Sequence, residues 1–175
     1  MYRSVGPLGE LLATDERQAL EFFFVRLLDI AGSSVDREEL LYNASVLAHY
    51  ALISTEAEVE MPAPATLGAV FDHFVFDASL LNDSLMMETA GAQCLLLAGF
   101  FEDQMRRRYN IRWYASLGAS FFNRAALQET SAHKARLLDT IARRFEPWRQ
   151  RYARLGRELR DEPYLLTPPK PPSIT

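Results

Sequence analysis

A chain of 175 residues is long enough to bury a real core, and 49% hydrophobic against 24% charged residues is a globular balance rather than a disordered one. Its single cysteine excludes an internal disulfide and a cysteine-based zinc site, and its longest unbroken apolar run, Cys94 to Phe101, falls far short of the roughly 20 residues a membrane span needs. Net charge is −4, yet residues 1–100 carry 4 basic and 15 acidic side chains whereas residues 101–160 carry 14 and 6, so the two halves can attract each other within the fold or across a dimer.

The N-terminal stretch MYRSVGPLGELLATDER lacks the pattern of a secretory leader, and the expectation is a cytoplasmic protein that does not enter a membrane. Thr14 to Ile30 reads as a helix: Thr14 caps it, Leu20, Phe23, Phe24, Leu27 and Leu28 form its apolar stripe, and Gly32 follows its end. A second helix starts near Asp36, where Asp36 and Glu39 have the spacing of a capping box, and runs to about Ser54. Thr55 to Thr66, with Glu56, Glu58, Glu60, Pro62 and Pro64, reads as a long acidic loop. Helical spacing resumes over Leu67 to Leu85, and Met86 and Met87 lead into the next segment as core filler.

Gly91 to Phe101 is apolar on every side, the pattern of a helix buried all round, and Gly91, Ala92, Ala98 and Gly99 suit close approach of neighbouring backbones. Arg106, Arg107 and Arg108 place positive charge where a helix C-terminus favours it, and Asn110 breaks and caps. A second apolar face follows, with Trp113, Leu117, Phe121 and Arg124 on one line and Tyr114, Gly118, Phe122 and Ala125 beside it. Nine of these residues, Gly91, Leu95, Leu97, Gly99, Phe100, Phe101, Trp113, Tyr114 and Gly118, form a G-x-x-x-L-x-L-x-G-F-F … [WY]-Y-x-x-x-G pattern. The stretch thereby resembles a family of uncharacterised bacterial helical proteins, with YNASVLAHYA from Tyr42 to Ala51 a weaker second match. That pattern often has an acidic residue after its first glycine, where this chain has Ala92. The family has no established activity, so the resemblance implies a helical fold and no chemistry.

The last segment has the clearest periodicity. Leu138, Ile141, Phe145, Trp148, Tyr152, Leu155 and Leu159 alternate steps of three and four, the a/d seam of a helix packed lengthwise on another. Pro147 lies inside the seam, which stays in phase across it, so the expectation is one kinked helix. From Asp161 the pattern stops, and residues 161–175 read as an extended proline-rich tail. The expected fold is therefore all-α: one domain over residues 1–160, with six or seven helices around a buried central helix at about 91–101.

Chemical motifs are sparse. The chain has no phosphate-binding G-x-x-x-x-G-K-[ST], no G-x-S-x-G and no Glu-x-x-His for a di-metal bundle, so no cofactor or metal is expected and a non-enzymatic role ranks ahead of an enzymatic one. The leading expectation is a non-enzymatic interaction or regulatory module that forms a homodimer through Phe145, Trp148, Tyr152 and Leu155. A second is nucleic-acid binding through Arg106, Arg107, Arg108, Arg112, Arg143, Arg144 and Arg151, which sit among aromatic residues. A third is a small-ligand or catalytic cluster of Asp72, His73 and Asp77, one helical turn in extent.

Overall fold

The computed structural model describes residues 16–55, 84–107 and 109–159, and all regular structure among them is helical. Among the described residues there are seven α-helices: α1 (Glu16–Ala31), α2 (Arg37–Thr55), α3 (Ser84–Leu95), α4 (Glu102–Met105), α5 (Ile111–Gln128), α6 (Ala132–Arg143) and α7 (Phe145–Glu158). A π-helical turn, Leu96–Phe100, joins α3 to α4. The all-α expectation holds. The described residues fall into two compact units, one containing α1, α2 and residues 154–159, the other residues 84–153. The Thr14 cap, the acidic loop beyond Thr55, the expected helix from Leu67 up to residue 83 and the tail lie outside the described residues.

In the first unit α1 and α2 pack together as a helical hairpin. Gly32 closes α1 with a φ of 84°, a left-handed conformation open to a residue without Cβ, and its N–H donates to the Leu28 carbonyl at 2.8 Å. Asp36 opens α2: its Oδ2 accepts from the Glu39 N–H at 3.2 Å, as the capping-box spacing implies. The buried line on α1 is Ala19, Phe23 and Leu27. Leu28, expected in the stripe, is exposed, because it lies about 100° around the helix from Leu27. Asn43 is buried on α2 and satisfied there, its Nδ2 donating to the Glu39 carbonyl at 2.9 Å.

The second unit is built on α3 and its π-turn. Every residue from Ala90 to Phe101 is buried, the polar Gln93 included, as the apolar residues on every side of the helix require. The π-turn, which periodicity did not foretell, is marked by the Phe101 N–H reaching back five residues to the Leu96 carbonyl at 2.9 Å. Small residues set the spacing around it. A Cβ on Gly99 would stand 2.7 Å from Tyr152 Cβ and 3.0 Å from the Arg149 carbonyl oxygen. A Cβ on Gly118 of α5 would stand 2.5 Å from Phe145 Cζ and 2.7 Å from Cys94 Cβ. Neither position has room for alanine without movement of its neighbours.

The expectation of one kinked final helix is corrected. α6 ends at Arg143, Arg144 turns the chain with φ −105° and ψ 25°, and α7 begins at Phe145. Pro147 is the third residue of α7, where a missing N–H removes no intrahelical bond. The split preserves the phase of the seam, and all seven of its residues from Leu138 to Leu159 are buried.

Two substitutions test this packing. Gly118→Ala is expected to lower stability by about 1–3 kcal/mol through overpacking, against a helix-propensity gain of at most about 1 kcal/mol. Trp148→Ala should cost about 3–5 kcal/mol as a buried large-to-small change. Urea unfolding midpoints measure both, and a Gly118→Ala protein as stable as the parent would contradict the contact with Phe145.

Candidate functional site

The start of α5 is fixed by Asn110. Its Oδ1 accepts from the Trp113 N–H at 3.1 Å and its carbonyl from the Tyr114 N–H at 3.2 Å. With that phase set, Tyr114, Leu117, Gly118, Phe121, Phe122 and Ala125 are buried. Ile111, Arg112, Ala115, Ser116 and Ala119 fall on a different side of the helix and line a groove of about 640 Å³. The opposite wall is the corner between α6 and α7: Ala142, Arg143, Phe145, Glu146 and Arg149. Three alanines leave the space open, since longer side chains there would fill it.

Charge in the groove is unevenly compensated. Arg149 is locked: its Nη1 donates to the Ala98 carbonyl and to Glu102 Oε2, each at 3.0 Å, while Nε and Nη2 donate to Glu146 at 2.8 and 2.7 Å. Glu146 also accepts from Gln150 Nε2 at 2.9 Å. The hydrogen bonds from Arg149 hold the Glu146 carboxyl below its ordinary value and outweigh its partial burial. Hydrogen bonding to Glu146 likewise raises the Arg149 guanidinium, so this pair stays ionised. Arg143 pairs with Asp139 at 2.9 Å, both well exposed, an arrangement that solvent weakens. Arg112 is exposed and pairs with no described carboxylate.

The residues singled out from sequence are distributed as follows. Phe145, Trp148, Tyr152 and Leu155 are no more than 2% exposed, so this chain's own packing takes up the side chains expected at a dimer interface. The heptad seam is core. Among the arginines, Arg106 pairs with Glu102 at 3.6 Å, Arg151 lies 4.6 Å over the Trp148 ring, and Arg107 and Arg144 are exposed. Arg112 and Arg143 come together in the groove, while Arg108, Asp72, His73 and Asp77 lie outside the described residues. Among the described residues no cluster of His, Cys, Asp or Glu has the makings of a metal site, and no helix is long and apolar enough to cross a membrane. Cys94 is fully buried and burial pushes its thiol up, which makes it a poor nucleophile. Beside it the buried Tyr114 hydroxyl has no described hydrogen-bond partner and is pushed up to about 12, by burial first and then by Cys94 and Tyr109.

Sequence reasoning missed the groove-forming role of Ala115, Ser116, Ala119 and Ala142. The available signal was a run of small residues on the side of α5 away from its aromatic face. Comparison with protein-family models, with characterised proteins and with solved structures gives no match for this chain.

The Arg149–Glu146 pair yields a pH prediction. A carboxyl whose folded pKa is depressed contributes stability that is complete above its ordinary value, here 4.5, and lost as pH falls through the lower folded value. Glu146→Gln should therefore melt below the parent at neutral pH, with the gap closing on acidification below that value. Thermal melts of both proteins across the acid range measure it, and a gap independent of pH would contradict the assignment.

Proposed function

We propose that the chain is a non-enzymatic interaction module that associates with a second copy of itself through complementary charge. The observation that supports this reading is a surplus of exposed arginines without a described carboxylate in the second unit, together with exposed acidic side chains in the first. In the first unit Glu21 and Asp29 are exposed and pair with no described cation, and Arg17 and Arg37 are exposed and pair with no described carboxylate. In the second unit Arg107, Arg112, Arg124 and Arg136 are exposed and pair with no described carboxylate. Two copies related by a twofold axis can satisfy both sets at once, the acidic surface of each against the basic surface of the other. Such an interface is polar and replaces the aromatic seam, which is buried in the single chain.

A second reading, binding of single-stranded nucleic acid, is favoured by one observation. Trp113 is 39% exposed on α5, next to Arg112 and one ring contact, at 4.9 Å, from Tyr114. An exposed indole beside unpaired arginines is the pairing of stacking platform and phosphate contact that single strands use.

Size-exclusion chromatography with light scattering, recording absorbance at two wavelengths, tests both readings. A dimer free of nucleic acid that dissociates between about 50 and 200 mM salt is the expected result, because exposed charges are screened over that range. A monomer at every salt concentration would overturn self-association. Nucleic-acid absorbance that salt strips away would move the assignment to the second reading.

A further inference from the structure

We propose that the groove between α5 and the α6–α7 corner is a binding site for a small organic anion, a carboxylate head carried on an apolar body. This inference stands apart from self-association, since it rests on the groove's own lining. Its volume of about 640 Å³ lies within the range of small-molecule sites, and all of its walls belong to one compact unit.

Polar and apolar groups in that lining are arranged for such a ligand. Ile111, Ala115, Ala119 and Ala142 supply an apolar surface, with the buried Phe145 beneath it, and the α5 wall from Ile111 to Ala119 runs for about 12 Å at helical rise. Arg112 supplies a guanidinium that the described fold does not use, and a guanidinium matches a carboxylate with two parallel hydrogen bonds. Arg143 can join it at little cost, because its pair with Asp139 is exposed at both ends. The positive end of α5 lies at the same place, for Ile111 and Arg112 are its first two residues. The one carboxylate in the lining, Glu146, has its charge countered by the Arg149 guanidinium, two of whose nitrogens donate to it, and Gln150 donates to it as well. Arg149 itself is committed to Glu146, Glu102 and the Ala98 carbonyl, so it acts as wall rather than receptor.

Head and body make separate predictions. Octanoate is the probe, with octanamide as its uncharged counterpart and inorganic phosphate as an anion without an apolar body. Isothermal titration calorimetry on the full chain should show octanoate binding, with octanamide and phosphate each at least tenfold weaker. Arg112→Ala should weaken octanoate about tenfold, the loss of one charge-assisted contact. Ala119→Leu should abolish binding by filling the groove. Arg112 is exposed, so its replacement leaves the melting temperature unchanged, and a loss of binding there is separable from a loss of fold. Equal affinity for octanoate and octanamide, equal affinity for octanoate and phosphate, or an Arg112→Ala protein that binds as the parent does would each overturn the proposal.

Discussion

The close seating of α7 on the π-turn is the constraint on which the second unit depends. Two features make it possible, and they act on the same few atoms. Gly99 removes the Cβ that would collide with Tyr152 Cβ and with the Arg149 carbonyl, so the two backbones meet without a side chain between them. Arg149 then reaches from α7 to the Ala98 carbonyl and to Glu102, tying the helix to the turn that it covers. The contact is partly buried, and a guanidinium there must have its donors satisfied to avoid a large desolvation penalty. Four hydrogen bonds to Ala98, Glu102 and Glu146 meet that requirement.

From that seating the rest of the unit follows. Phe145, at the start of α7, reaches Gly118 of α5, and Gly118 also admits Cys94 of α3. Three helices therefore meet at one glycine. The break after Arg143 lets the seam change helix without changing phase, so Leu138 and Ile141 of α6 and Trp148 and Tyr152 of α7 are all buried. The same break brings Ala142 and Arg143 to the rim of the groove opposite Ala115 and Ala119. A seam that reads as an interface in sequence is thus the core in the fold, and a corner that reads as a kink forms one wall of the groove.

How much was legible depends on the range of the interaction involved. The capping by Asp36 and Asn110, the left-handed Gly32, the burial of Cys94 and the all-round burial of Gly91 to Phe101 were readable, because each is decided by residues within a few positions of one another. The close approach at Gly91 and Gly99 was readable in kind but not in partner: Phe122 and Tyr152 lie far along the chain. Trp113 illustrates the limit. Its spacing places it on the line of Leu117 and Phe121, yet it is exposed while Tyr114 is buried, because the apolar face of α5 is wider than the surface its neighbours cover.

The sequence alone determined that this chain is helical, that Gly32, Asp36 and Asn110 bound helices, and which runs are apolar enough to be buried, since periodicity and local hydrogen bonding are properties of neighbouring residues. Only the tertiary structure decided which apolar face is core and which arginines remain uncompensated. Those outcomes depend on residues tens of positions apart: the Ala98 carbonyl that accepts a hydrogen bond from Arg149 Nη1 is 51 residues away. The groove is the clearest case. It is the space left between three helices by alanines that no local rule distinguishes from any other alanine.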